Sequence, residues 1–377
     1  MKAACLLCVW LCASVASAAD PWKVYAARPP LVPKGTVDTD AKRKLGLMVF
    51  QDNRLSSTRT HSCASCHKSE FGWGDGERVS SGATAKTTRN SPTIINTAFL
   101  QELFHDKRAI FLEGQAPEPM KSVDELGQGN TGVVVARFRR VPQYEQLFRE
   151  AFGPRTDNAG RELSAITESR MAAALAAFQR TIVSTDAPVD RAVTWSVGDR
   201  GQWIYEVRPD ANWVFTPAQS RGFNVFFGKG RCIQCHQSPD YRTDNIANNG
   251  MGAYNGYRGD QGAAQITGND SDTRAFAIPT LRELGRTAPY GHAGHLPTIR
   301  DVVAHYSNPP ADRFRDRRIQ PARFTDQEAE DLTAFLTVGF QGKNYPTLAK
   351  LELPPDPPGT PARDNQQTGR RGILRRR

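Results

Sequence analysis

Cys63-Ala64-Ser65-Cys66-His67 and Cys232-Ile233-Gln234-Cys235-His236 are two copies of one pattern, C-x-x-C-H. Each copy sets two thiols where they can form thioethers to the vinyl groups of a haem, and a histidine beside them to bind the iron. With seven cysteines and seven histidines in 377 residues, chance would supply only about 0.002 such motifs. The competing readings are a disulfide within each pair or a zinc site. A disulfide gives no reason for the histidine after each pair. A zinc site with two cysteines and two histidines needs four ligands to converge from motifs that start at residues 63 and 232. The motifs are therefore read as two covalent c-type haems, attached at Cys63, Cys66, Cys232 and Cys235, with His67 and His236 as iron ligands.

The surrounding composition fits. A chain of 377 residues, 39% hydrophobic and 23% charged, can form two folded domains. Its net charge of +10 is largely local, because Arg370, Arg371, Arg375, Arg376 and Arg377 crowd the C-terminus and Lys2 opens the chain. Without those six the body carries only about +4, too little for a nucleic-acid surface. Residues 1–18 read as an export leader: Lys2, an apolar stretch from Leu6 to Val15, and the small residues Ala16-Ser17-Ala18. Export predicts a periplasmic protein. Cys5, Cys8 and Cys12 lie in that leader, so all four remaining cysteines belong to the two motifs. No other apolar run is long enough to span a membrane.

Helical periodicity dominates the interior. Asp40 to Gln51 carries Leu45, Met48 and Val49 on one face, and Ser164 to Val183 carries Met171, Leu175, Phe178 and Ile182. Thr216-Pro217 starts a helix that Gly228 can stop; Thr298 caps another, and Thr325-Asp326-Gln327-Glu328 is a capping box for a third. Trp195–Trp213 and the Gly- and Asn-rich stretch 240–268 are expected to be loops. Each motif follows a helix and precedes a loop and further helices, the order of a small cytochrome c domain. The predicted architecture is mainly α: a leader at 1–18, cytochrome c-like domains at 19–190 and 215–350, a connection at 191–214, and a disordered basic tail at 351–377.

From about Asp40 to Phe340 the sequence resembles the bacterial dihaem cytochrome c peroxidases and the related MauG-type enzymes. The resemblance is carried by Phe50-Gln51-Asp52-Asn53-Arg54-Leu55-Ser56, Arg89-Asn90-Ser91-Pro92-Thr93, Leu112-Glu113-Gly114-Gln115-Ala116, Gly228-Lys229-Gly230-Arg231-Cys232 and Thr287-Ala288-Pro289-Tyr290. It implies that Gln115 and Glu125, with Pro119 between them, stand over the first haem. Splitting the O–O bond of hydrogen peroxide requires a proton taken from one oxygen and delivered to the other; a carboxylate can do both while an amide orients the substrate. Without the resemblance, Glu125 reads as a solvated loop carboxylate and Gln115 as a loop hydrogen-bonder. Many members rest with a histidine from the loop after the first motif closed onto the first iron. Here that loop, Ser80 to Thr88, has no histidine, and the matching position is Ala83. The first iron is therefore expected to be permanently open.

The helix beginning at Thr298 matches the one that supplies the second iron's other ligand. Peroxidases place methionine there and MauG-type proteins tyrosine; this chain has Tyr306, with His305 or Met251 as alternatives. A phenolate favours oxidised iron. Where the family carries a tryptophan between the haems, ten residues before the glutamine, this chain carries His105. Imidazole relays an electron hole less well than indole but can move protons; the alternative is a plain hydrogen-bonding role. The resemblance also implies a calcium ion on the Asn90 side chain and the carbonyls of Thr287 and Pro289, oxygen donors that suit that cation. Three functions compete: a peroxidase fed by a small cytochrome or cupredoxin, a MauG-type oxidase acting on a protein substrate, and a pure electron carrier.

Overall fold

The computed structural model describes residues 29–197, 203–208, 214–253 and 259–358; the leader and residues 359–377 lie outside them. Seven helices of nine residues or more occur among the described residues: α1 (Asp40–Gln51), α2 (Thr131–Arg139), α3 (Pro142–Phe152), α4 (Glu168–Gln179), α5 (Pro217–Phe227), α6 (Ile299–Ser307) and α7 (Asp326–Val338). Their starts follow from the chain. Thr39 accepts a hydrogen bond from the Lys42 N–H at the head of α1, and Thr167 from the Arg170 N–H at the head of α4. Capping boxes open α5 at Thr216 and Gln219, α6 at Thr298 and Asp301, and α7 at Thr325 and Glu328. α4 is shorter than its periodic stretch because Thr167 caps it and Thr181 returns its hydroxyl to the Phe178 carbonyl.

Two cores form. The first joins α1 to α4 through Leu45, Val49, Phe50, Leu175 and Phe178, with Phe138, Tyr144 and Phe148 beside them. The second joins α5 to α7 through Phe223, Phe226, Leu332, Phe335 and Phe340. The same device brings each pair together. A Cβ at Gly46 would lie 1.9 Å from the Ala174 carbonyl oxygen, and a Cβ at Gly222 2.0 Å from that of Asp331. Only glycine lets these backbones approach so closely. The fold is thus mainly α, a pair of similar helical halves.

The halves meet along polar contacts. The Asn90 N–H donates to the His292 carbonyl at 2.8 Å and the Ala277 N–H to the His105 carbonyl at 2.7 Å. Arg89 spans the seam, pairing with Asp106 at 2.7 Å and with Asp260 at 2.7 Å.

Two expectations are corrected. The connection is not a loop: Val193–Val197 (β1) and Trp203–Val207 (β2) pair as an antiparallel hairpin. Both runs are rich in β-branched and aromatic residues, and Val193-Thr194-Trp195-Ser196-Val197 alternates apolar and polar residues, a strand signal within a stretch that has no period over its whole length. The tail does not begin at residue 351. Leu351 and Leu353 pack with Tyr345 and Leu348 against the first core. Asp356 takes ion pairs from Arg54 at 2.8 Å and Arg59 at 2.5 Å. A proline-rich extended strap therefore crosses the first half as far as residue 358.

Candidate active site and haem-binding cavity

The first motif is a single helical turn, Cys63–Cys66, capped by Ser62 and Ser65; the second is a 3₁₀ turn, Cys232–Gln234. The first turn ends on His67; the second ends on Cys235, and the His236 N–H that follows returns to the Cys232 carbonyl at 2.9 Å. His67 Nδ1 faces the Trp73 carbonyl at 3.0 Å, and His236 Nδ1 faces the Tyr241 carbonyl at 2.9 Å. A carbonyl only accepts, so each Nδ1 carries the ring proton and each Nε2 keeps its lone pair for a metal. Both aromatic residues adopt left-handed backbones, with φ of 63° at Trp73 and 51° at Tyr241, which turns their carbonyls back to the histidines. Such a conformation costs an ordinary residue roughly 1–2 kcal/mol. Burial lowers the His67 pKa and takes that of His236 to about 4, so both rings are neutral, as ligation requires.

Cys66 and His67 share one continuous cavity of about 1260 Å³ with Cys232, Cys235 and His236. A site for one drug-sized ligand is about 300–1,000 Å³, so the space suits more than one large group. None of the four cysteines is in a disulfide. Burial pushes the Cys63 and Cys232 thiols up to about 12 and Cys66 to about 11. Among the described residues no group of three or more His, Cys, Asp and Glu side chains converges, so the zinc alternative lacks a ligand set. Free thiols, neutral histidines presenting Nε2, and a large shared cavity together fit two covalent haems.

Gln115, Pro119 and Glu125 line the same cavity as Cys66 and His67. Gln115 ends the short helix Phe111–Gln115. Glu125 is half-buried, and burial raises its pKa above the usual carboxylate range against the pull of Arg108. Arg108 is itself engaged, bonding Asp106 at 2.9 Å and lying 3.6 Å from the Phe104 ring centroid. The loop around Ala83 is locked to this wall: the Ala83 N–H donates to the Glu125 carbonyl at 2.7 Å, and Thr84 Oγ1 to the Val123 carbonyl at 2.7 Å.

Tyr306 and Met251 line the cavity with the second motif. Burial pushes the Tyr306 phenol up to about 12, and a hydrogen bond from Asn249 opposes that rise. His305 is buried and directs Nε2 at the Asn249 carbonyl, 2.9 Å away, rather than joining the cavity wall. His105 donates from Nε2 to the Asn90 carbonyl at 3.1 Å and is half-buried, lining the cavity between the halves. Asn90 donates its amide to the carbonyls of Glu77 at 2.7 Å and Arg78 at 3.4 Å. Asn90, Thr287 and Pro289 all line the cavity. Trp73, Tyr241 and Asn249 escaped the sequence reading; the shared signal for the first two is an aromatic residue shortly after each motif's histidine.

The family described as di-haem cytochrome c peroxidase matches residues 40–196. A cytochrome-c peroxidase, IdrP1, of Denitromonas iodatirespirans is 33% identical over 86% of this chain and 90% of its own. The methylamine utilization protein MauG of Methylorubrum extorquens is 34% identical over 83% of each chain. A crystal structure of a MauG-like protein associated with microbial copper homeostasis overlays with a TM-score of 0.67, at 30% identity, covering 84% of this chain and 93% of its own. The cytochrome-c peroxidases among these relatives are oxidoreductases acting on peroxide, and the family name implies two haems. With two attachment motifs in two similar halves around one cavity, the chain belongs to the di-haem cytochrome c peroxidase family.

Proposed function

We propose that this protein reduces hydrogen peroxide at an iron held by His67 in its first half, which stays open on the Gln115–Glu125 side. The reading is carried by one observation: Gln115 and Glu125 line the cavity that His67 enters, while the loop that could close over it has Ala83 and is locked to the Glu125 backbone. Each haem, when bound through its C-x-x-C-H cysteines, supplies an iron that takes up and passes on electrons. Reducing peroxide to two waters consumes two electrons and two protons. Glu125 takes the proton from one peroxide oxygen and returns it to the other. Burial suits that work, because a carboxylate with a raised pKa is the stronger base. The Gln115 amide orients the substrate. His105 stands where the family's tryptophan does, and its Nε2 proton, held by the Asn90 carbonyl, favours the hydrogen-bonding role over a relay between the haems.

The electrons enter through the second half, residues 215–350, from a small cytochrome or cupredoxin. The first domain, residues 19–190, carries the peroxide chemistry. The leader at residues 1–18 supports a periplasmic location, and among the described residues no helix is long and apolar enough to cross a membrane. Calcium is assigned to Asn90, Thr287 and Pro289 at the seam; the Glu77 and Arg78 carbonyls beside Asn90 are oxygens of the kind it takes.

A second reading, oxidation of a residue on a partner protein as in MauG-type enzymes, is favoured by Tyr306 on the cavity wall. A pure electron carrier has no use for a half-buried carboxylic acid and an amide lining the cavity of one motif. The test is Glu125→Gln in the holoprotein, followed by stopped-flow mixing with peroxide. Haem content should be unchanged and the peroxide reaction at least about tenfold slower, within the roughly 10²–10⁴ range of such proton shuttles. Wild-type kinetics would remove Glu125 from the chemistry.

A further inference from the structure

Asn249 lies on the loop between Ile246–Ala247 and the turn at Met251, on the wall of the second half of the cavity. Three hydrogen bonds fix it. Its Oδ1 accepts from the Met251 N–H at 3.1 Å, its Nδ2 donates to the Tyr306 phenol oxygen at 3.2 Å, and its carbonyl accepts from His305 Nε2 at 2.9 Å. The backbone beneath it is held as firmly. Asn248 is buried, donating to the Thr273 carbonyl at 3.0 Å and to Asp312 at 3.2 Å, and accepting from the Gly250 N–H at 2.8 Å.

These contacts determine which way the amide faces. A backbone N–H can only donate, so Oδ1 must meet Met251. The NH₂ end must then meet Tyr306. The phenol oxygen is therefore an acceptor in this bond, and a donor placed against it stabilises negative charge there. His305 and Tyr306 are consecutive on α6, and both hold Asn249, so loop and helix are tied at two points. One side chain thus controls both groups that face the second motif, the phenol of Tyr306 directly and Met251 through its backbone.

We propose that Asn249 is a positioning residue that presents Tyr306, rather than Met251, to the second iron and weakens the phenolate's donation to it. This rests on the assignment of Tyr306 as that iron's ligand. Withdrawing donor strength from a phenolate raises the haem potential, so Asn249 sets how far Tyr306 can hold the second iron oxidised. His305 acts behind it by anchoring the Asn249 carbonyl.

The test uses three holoprotein variants, read by EPR of the ferric state and by spectroelectrochemical titration of the second haem. Asn249→Asp keeps an acceptor for the Met251 N–H but removes the donor to Tyr306. Asn249→Leu removes the donor without adding charge. Tyr306→Phe tests the underlying assignment. The expected result is a lower potential for the second haem in both Asn249 variants, its reduced-to-oxidised ratio at a fixed applied potential falling about tenfold, or ~59 mV for one electron. In Asn249→Leu the low-spin signal should also change as Met251 is released, with the signal of the first haem unaltered in both. A shift in Asn249→Asp alone would trace the effect to charge and overturn the proposal, as would wild-type potentials in both. If Tyr306→Phe left the second haem's signal unchanged, the ligand assignment itself would fail. If only Tyr306→Phe changed that signal, the assignment would stand and the role of Asn249 would not.

Discussion

The two halves treat the near side of the cavity alike and the far side differently. In each, a glycine under a carbonyl lets two helices cross, at Gly46 with Ala174 and at Gly222 with Asp331. In each, an aromatic residue with positive φ turns its carbonyl onto the Nδ1 of the motif's histidine. Gln115 and Glu125, however, line the cavity of the first motif, whereas Tyr306, held by Asn249, lines it with the second. On the proposed reading, one scaffold presents a histidine to an iron the same way twice, and a few side chains elsewhere on the cavity decide whether the other face handles protons or is filled by a ligand.

The largest effect should come from breaking one attachment motif. Cys63→Ser with Cys66→Ser should reduce covalent haem from two to one per chain and abolish the peroxide reaction. The same pair of changes at Cys232 and Cys235 should also remove one haem yet leave the first half able to react with peroxide. Haem-to-protein ratio and stopped-flow mixing check both. Identical peroxide behaviour in the two double variants would erase the proposed difference between the halves.

The shared crossing makes the next prediction. Gly46→Ala and Gly222→Ala should each lower stability by about 1–3 kcal/mol or more, since the added methyl meets backbone rather than a movable side chain. Thermal or denaturant unfolding of the holoprotein measures this. A neutral outcome at either site would mean that the two crossings are not equivalent.

A smaller effect separates the far sides. Burial raises the Glu125 pKa, so its basic form appears only at higher pH than for an ordinary glutamate. Because removal of the peroxide proton needs that form, the rate should rise with pH through an inflection above the usual carboxylate range. Glu125→Gln should flatten the profile. An unchanged inflection in the variant would assign it to another group.

Much of this was legible from sequence, for reasons particular to the residues. α1 is announced by the apolar face of Leu45, Met48 and Val49, α5 by Thr216-Pro217 and α7 by its Thr325–Glu328 box, all local signals. The motifs announce the cavity because thioether attachment needs both cysteines and the histidine in fixed order. The strap was illegible because Leu351, Leu353 and Asp356 find their partners about three hundred residues away, at Arg54 and the first core. The Val193–Val207 hairpin was hidden because its alternating run, Val193-Thr194-Trp195-Ser196-Val197, is only five residues long and its partner Trp203-Ile204-Tyr205-Glu206-Val207 does not share the alternation. Asn249 was hidden for another reason. It sits in a glycine-rich loop, and only tertiary structure brings it to Tyr306 and His305.

The contrast between the two far sides is tested most directly by an EPR spectrum of the as-isolated diferric protein. An open iron over His67 and a closed one over His236 predict one high-spin and one low-spin signal. Two low-spin signals would contradict the account, because they would mean that the first iron is closed on the side where Gln115 and Glu125 are assigned to meet peroxide.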